Sequence, residues 1–333
     1  MNKKLISILT ILFLPLQAIT EEKHMVIVSP SYNNRECYKK HLDSVLNQKY
    51  TNYELFYLDD CSPDGTGKLV EEYITQKGFY LADYYTNSLG DLVEIYFEAN
   101  AKPDYALTSY DGRHAFHPHS KLQSIQAKAK RKITLVKNKE NREALVNRYH
   151  AIHSSKDSDI IVELDGDDWF ANDEVLSYIN KIYADPNIWL TYGQFRYYPS
   201  GKPGFCRPIP KEIIEKNKFR KYPWVFSALR TYYAWLFKLI KEEDLTYNGD
   251  SYPELRGKFY TDTSDKAAFY PMVEMARNGH IKFIPKVLYI YNTNPDKYEK
   301  EPEPRKQKRK EFNYLIRKTT PYDAIEEPPL GSS

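Results

Sequence analysis

Short apolar runs, each emptying into a polar loop, recur along the first half of the chain. Met25–Val28 gives way to Ser29-Pro30-Ser31-Tyr32-Asn33-Asn34, and Tyr53–Leu58 to Asp59-Asp60-Cys61-Ser62-Pro63-Asp64-Gly65. Ile160–Leu164 ends in Asp165-Gly166-Asp167-Asp168. Apolar runs of this length suit strands buried on both faces of a parallel sheet. Between them, Tyr38, Leu42, Val45 and Leu46, and then Leu69, Val70, Tyr73 and Ile74, recur at helical spacing. A strand at Ile133–Val136 and a helix from Asn141 to His153 precede the third run. This alternation predicts an α/β fold whose parallel strands are joined by right-handed crossovers.

The second half has a different texture. Val175, Leu176, Ile179, Ile182 and Tyr183 mark a helix, and Ile188–Tyr198 reads as a long strand. Helices are expected over Ile209–Asn217, over the aromatic-rich Tyr222–Lys241, and from the cap-competent Asp262–Asp265 to Asn278, followed by a strand at Phe283–Tyr291. Residues 79–132 break the rhythm and are read as a helical insertion within a single domain spanning 23–295. Residues 296–333 are rich in Pro, Lys and Glu and include the basic run Arg305–Lys310. They read as a charged tail, solvated or lying on an anionic membrane surface.

The N-terminus has the layout of a targeting segment. Met1–Lys4 is basic, Leu5–Ile19 is almost wholly apolar, and Glu21–Lys23 begins the polar chain. The apolar stretch is short for a membrane span, which predicts a signal peptide or signal anchor over 1–22. Ala18 would end a cleavage site, but Leu16 two positions earlier is not small, so cleavage and anchoring both stay open. Either one implies export or membrane tethering.

Composition narrows the function. With 333 residues there is ample core for one large domain, and a net charge of +3 provides no field for nucleic acid. Thirty tyrosines suit surfaces that contact carbohydrate, although many will be core. Three cysteines, Cys37, Cys61 and Cys206, are too few for a disulfide framework. His114, His117 and His119 read as a loop, because no Cys or acid at matching spacing completes a metal site.

The acidic strand end carries the most chemistry. Asp165, Asp167 and Asp168 concentrate negative charge at one spot, which favours a cation there. Asp oxygens suit Mg²⁺ or Mn²⁺, ions that usually bind through one or two carboxylates and substrate phosphates. A helix cap is the simpler reading. A calcium loop fails its template: the sixth position from Asp165 is Phe170 and the twelfth is Leu176. No GxxxxGK[ST] phosphate loop occurs, and Val70 replaces the third glycine of a dinucleotide fingerprint begun by Gly65 and Gly67. Three polar loops on one edge of a parallel sheet define a ligand crevice, and they bring Asp60 to the same edge as the Asp165–Asp168 cluster.

Val26–Asn33 (VIVSPSYN), Leu58–Thr66 (LDDCSPDGT), Asn141–Asn147 (NREALVN) and Leu164–Trp169 (LDGDDW) together resemble family 2 glycosyltransferases of the GT-A fold. Ser264–Tyr291 resembles that family's later part, so the likeness covers most of Met25–Asn292 outside the insertion. The resemblance implies a mostly parallel, Rossmann-like sheet flanked by helices, with a helical C-terminal acceptor part. It also implies a nucleotide-sugar donor, most often UDP-linked, and an acceptor hydroxyl on a glycan, lipid or protein. Pro30, Tyr32 and Asn33 would line the base and ribose pocket, and Asp60 would accept a hydrogen bond from the base. Arg142 would join the donor site. Asp165 and Asp167 match the DxD motif that holds ribose and metal, with Asp168 sharing the metal. The chain departs from the family at Glu143, where a glycine is usual, and in the ED catalytic pair, whose nearest match is Asp265 with Asp262 behind it. An inverting transfer needs such a base on the acceptor hydroxyl, whereas a helix cap is the plain alternative for Asp265.

Two other readings compete. A nucleotidyltransferase would use a similar sheet and metal, but its basic, Gly-rich phosphate loop is missing after the first strand. A degenerate sugar-binding protein would keep the fold without turnover, which the three intact aspartates argue against. In Tyr222–Leu236, Arg230 is a candidate for holding an acceptor hydroxyl or phosphate, against a plain core reading for most of the aromatics.

Overall fold

A computed structural model describes residues 22–98, 131–293 and 303–329. The expected segment 1–22, His114, His117 and His119 therefore lie outside the described residues, apart from Glu22. The parallel centre is built from β1 (Met25–Ser31), β2 (Tyr53–Asp59), β5 (Lys132–Lys137) and β6 (Ile160–Glu163), in the order β5-β2-β1-β6. Met25 of β1 pairs with Tyr53 on one side and Ile160 on the other, so the three apolar runs end on one edge.

Alternation along β1 explains why these runs are apolar throughout. Val26 and Val28 face one core cluster with Ile161, while Met25 and Ile27 face another with Ile160 and Val162. Helices α1 (Tyr38–Leu46), α2 (Thr66–Gln76) and α4 (Val175–Ile182) cover the second cluster. The first is covered by α3 (Glu143–Ser154) and by elements from the second half of the chain. This is the α/β sheet flanked by helices that the resemblance implies.

Antiparallel pairings extend that centre in both directions and make the sheet mixed. β3 (Phe79–Thr86) and β4 (Leu92–Glu98) form a hairpin on β5. The described part of the expected helical insertion is therefore strand. Aromatic and β-branched residues such as Tyr84, Tyr85, Val93 and Ile95 fit a pleated surface better than a helix. Beyond β6 the order continues β9-β8-β10-β7, with β7 (Trp169–Phe170), β8 (Leu190–Tyr198), β9 (Arg230–Tyr233) and β10 (Ile281–Asn292).

Strand β9 also corrects the helix expected over Tyr222–Lys241. Arg230–Tyr233 pairs antiparallel with both β6 and β8, and only Ala234–Lys238 is helical, as α6. Thr231 and Tyr232 are fully buried between two strands, so tertiary pairing overrides the aromatic helical spacing.

The short helices α5 (Lys211–Glu215) and α7 (Glu242–Leu245) lead to α8 (Ser264–Met275), which packs on α6 and α7. The tail is the largest departure from expectation. Residues 303–318 form helix α9, with Phe312 and Ile316 only 1% and 2% exposed. Arg220 locks it down: its guanidinium meets Glu274 of α8 at 2.6 Å and donates to the Ile316 carbonyl at 2.6 Å. Among the described residues, no helix is long and apolar enough to cross a membrane.

Candidate functional site

At the C-terminal edge of the parallel strands lies a cavity of about 930 Å³. This is the place where open α/β sheets bind ligands, and the volume falls within the usual range for small-molecule sites.

The β1 loop forms one wall. Pro30, Tyr32 and Asn34 line the cavity. Asn33, expected there, takes a left-handed backbone conformation (φ 54°), its N–H bonds Ser62 Oγ at 3.1 Å, and it is not among the lining residues. Asp60 does line the cavity, and its carboxylate organises the neighbouring loop. It accepts from Asn138 Nδ2 at 2.7 Å, from the Arg142 N–H at 2.8 Å and from the Glu143 N–H at 2.9 Å. Arg142 contributes this backbone contact, but its guanidinium turns away to Asp91 at 2.9 Å and to the Leu89 carbonyl. The side chain lines a separate 170 Å³ cavity behind the β3–β4 turn.

Glu143 faces the main cavity with φ at +67°. A left-handed conformation costs a non-glycine residue roughly 1–2 kcal/mol, so strain falls at a position where the resembling family usually has glycine. Burial, with Asp60 and Asp262 nearby, pushes its carboxyl above the usual range.

The acidic turn after β6 sorts its three aspartates. The Asp168 N–H donates to the Asp165 carbonyl at 2.9 Å and the Gly166 N–H to the Pro30 carbonyl at 2.9 Å, pinning the turn to β1. Asp165 and Asp167 line the cavity and are half-buried. Asp168 turns inward, 2% exposed, accepting from the Tyr289 hydroxyl at 2.5 Å and the Asn292 N–H at 2.7 Å. Burial, with Asp167 and Asp165 close by, pushes its carboxyl well above the usual range. It braces the turn against β10 and is withdrawn from the expected metal role. Behind it, His41 Nδ1–H donates to the Asp168 carbonyl at 2.9 Å.

Among the described residues, no group of three or more His, Cys, Asp or Glu is arranged to hold a metal ion. Asp165 and Asp167 alone supply two hard carboxylates facing a cavity. That matches an ion of the Mg²⁺ or Mn²⁺ type, which takes its remaining ligands from phosphate and water.

The opposite wall comes from the second half of the chain. Asp262 and Asp265 both line the cavity. Asp262 is 8% exposed and clamped by Arg305 at 3.1 Å and Lys308 at 3.2 Å, both from α9. Asp265 sits in the first turn of α8, with Arg230 Nη1 at 3.7 Å from its Oδ2. Of the two, Asp265 is the more accessible to a substrate hydroxyl. Three of the six aromatics in Tyr222–Leu236, namely Phe226, Tyr232 and Trp235, are core, and Trp224 reaches the cavity.

Three groups of lining residues carried no role in the sequence reading. Arg148 of α3 is buried and hydrogen-bonds Asp165. Glu163 at the end of β6 accepts from Arg230 Nε at 2.8 Å and from the Tyr232 hydroxyl at 2.7 Å. Burial alone would raise the Glu163 carboxyl, but Arg230 and Arg148 bring it below the usual range. The third group is the α9 trio Arg305, Lys308 and Arg309.

Comparison with known proteins matches residues 26–87, the β1–β3 region, to the family described as "Glycosyl transferase family 2". TuaG of Bacillus subtilis (strain 168), named for a glycosyltransferase of teichuronic acid biosynthesis, is 38% identical over 47 residues, or 14% of this chain and 19% of that protein. Among solved structures, S. aureus TarS 1-349 in complex with UDP-GlcNAc gives a TM-score of 0.47 at 14% identity, covering 88% of this chain and 65% of that one. The mannosyltransferase PcManGT from Pyrobaculum calidifontis, in complex with GDP-Man and Mn²⁺, gives 0.47 at 16% identity, covering 84% and 59%. This chain thus spans less than two thirds of the length of each. The matched segment holds the β1 loop and Asp60, which form one wall of the cavity, and over that segment the chain is similar to glycosyl transferase family 2.

Proposed function

We propose that the chain transfers a sugar, with inversion, from a nucleoside diphosphate sugar, most often UDP-linked, to an acceptor hydroxyl on a glycan, lipid or protein. One observation carries the reading: Asp165 and Asp167 on one side, and Asp265 on the other, face a single cavity at the edge where the parallel strands end.

On the donor side, Pro30 and Tyr32 would flank the base and ribose, and Asn34 supports that loop by donating to Ser31 Oγ at 2.9 Å. The Asp60 carboxylate has lone-pair sites left after its three internal hydrogen bonds, enough to accept an N–H from the base. Asp165 and Asp167 would hold Mn²⁺ or Mg²⁺, which when bound offsets the charge on a leaving diphosphate. Arg148 orients Asp165 from the buried side. On the acceptor side, Asp265 takes the proton from the attacking hydroxyl, and Trp224 offers an aromatic face to the sugar. The segment 1–22 would export the enzyme or tether it to a membrane.

The test is a titration of Mn²⁺ with uridine diphosphate, run on the parent and on Asp167→Ala, followed by a screen of nucleotide sugars for release of free diphosphate. Binding that needs the metal and is lost in the variant, with one donor hydrolysed above background, is the expected outcome. Equal binding by both proteins sinks the metal–diphosphate site.

A further inference from the structure

A line of alternating charges runs along the cavity lining from one wall to the other. Asp265 Oδ2 lies 3.7 Å from Arg230 Nη1, and Arg230 Nη2 lies 2.7 Å from Glu163 Oε2. Glu163 Oε2 lies 3.9 Å from Arg148 Nε, and Arg148 in turn hydrogen-bonds Asp165. The three inner members, Arg230, Glu163 and Arg148, are 7%, 6% and 6% exposed. They come from β9, β6 and α3, so the line links α8, which carries Asp265, to the turn after β6, which carries Asp165.

Buried ion pairs add little net stability over apolar packing of the same volume, because desolvation consumes most of the attraction. Their geometry is nevertheless tightly determined, since moving one member strands the next. Arg230 hydrogen-bonds Glu163 and faces Asp265 as an ion pair at 3.7 Å, and its planar guanidinium holds the two carboxylates apart with more directional definition than a point charge would. A displacement of about 1 Å at a reacting group is enough to cost on the order of 100-fold in rate.

We propose that Arg230 is a positioning residue for sugar transfer: through Glu163 and Arg148 it sets Asp265 on the acceptor side in register with Asp165 on the donor side. This rests on the reading of Asp265 as the base and Asp165 as a donor-site ligand. In this role Arg230 acts through its carboxylate partners and not on the reacting atoms. It determines where the proton acceptor stands relative to the bound donor.

The experiment compares the parent with Arg230→Lys and with the double variant Arg230→Met/Glu163→Gln, which removes both charges together and leaves neither partner buried alone. Thermal unfolding, affinity for uridine diphosphate with Mn²⁺, and kcat and KM for transfer are measured on all three. The double variant should keep nucleotide affinity and acceptor KM within about threefold while kcat falls about 100-fold, and Arg230→Lys should lose about tenfold. A purely structural role would instead lower the unfolding temperature and the nucleotide affinity together with kcat, and that result overturns the proposal. A double variant with kcat within threefold of the parent also overturns it, while leaving the enzyme assignment intact. If the parent itself releases no diphosphate from any nucleotide sugar, the glycosyl-transfer reading has failed, and the positioning role falls with it.

Discussion

Gly166 packs so closely on Ser31 that a Cβ built on it would stand 2.7 Å from the Ser31 Cβ and 2.9 Å from its hydroxyl oxygen. The two residues join the acidic turn to the β1 loop, and the Ser31 hydroxyl is itself held by Tyr57 at 2.8 Å and Asn34 at 2.9 Å. Gly166→Ala should therefore displace one loop from the other. The expected cost is about 1–3 kcal/mol of stability from overpacking, with at least a tenfold loss in affinity for uridine diphosphate. Isothermal titration beside a denaturant melt checks both, and an alanine variant equal to the parent in each would show that the loops are not coupled here.

The two candidate bases make different predictions. Asp265 faces the cavity with one guanidinium at 3.7 Å, whereas Asp262 is held by two cations at 3.1 and 3.2 Å. Asp265→Asn is expected to bind donor as the parent does and to lose transfer by at least 100-fold, a typical general-base contribution. Asp262→Asn should loosen α9 with a smaller loss in rate. Steady-state kinetics on both variants decides the assignment, and the reverse ranking would move the base to Asp262.

Helix α9 is expected to be part of the folded domain. Phe312 is 1% exposed, with its ring centroid 5.0 Å from that of Tyr247 and 5.1 Å from that of Tyr260. Truncation to alanine should cost about 3–5 kcal/mol, the usual range for a buried phenylalanine. A solvated tail would give a change within about 0.5 kcal/mol. Urea denaturation of Phe312→Ala separates the two.

His41 predicts a pH dependence of folding. Burial pulls its pKa down from 6.5 to about 4, opposed only in part by its hydrogen bond to the Asp168 carbonyl. The folded protein therefore keeps the ring neutral where the unfolded chain protonates it. As pH falls from about 6.5 to about 4 the unfolded state binds the extra proton, and stability drops by about 3 kcal/mol in total at roughly 1.4 kcal/mol per pH unit. Above that window and below it, this contribution no longer changes. Denaturant melts at pH 7 and pH 5 in the presence of a chelator should show the loss in the parent and a shallower slope in His41→Gln.

What the sequence discloses follows from how locally each signal is encoded. The strands Met25–Ser31 and Ile160–Glu163 were legible because every residue of each is buried, which leaves a short apolar run, and Tyr53–Asp59 was legible from Leu55–Leu58 despite Glu54. The alternation of strands and helices put Asp60 and the Asp165–Asp168 cluster on one edge, whereas Asp265, which reads as plainly as a helix cap, was singled out only by the family resemblance. Which of Asp165, Asp167 and Asp168 faces the cavity was hidden, because a tight turn decides it and not the residue type. The pairing of Arg148 with Asp165 was equally hidden, since helical spacing says which face of α3 is covered but not what lies across from it. Helix α9 escaped notice because Phe312 and Ile316 are its only buried residues among sixteen otherwise dominated by charge.

Strand β9 lies antiparallel between β6 and β8, so the strands behind the two walls of the cavity share one hydrogen-bonded ladder. That arrangement rules out a hinge running through the middle of the molecule. On the proposed glycosyl-transfer reading, motion that admits or releases substrate would belong to chain outside the sheet, while the spacing of Asp165 and Asp265 is built into the scaffold itself.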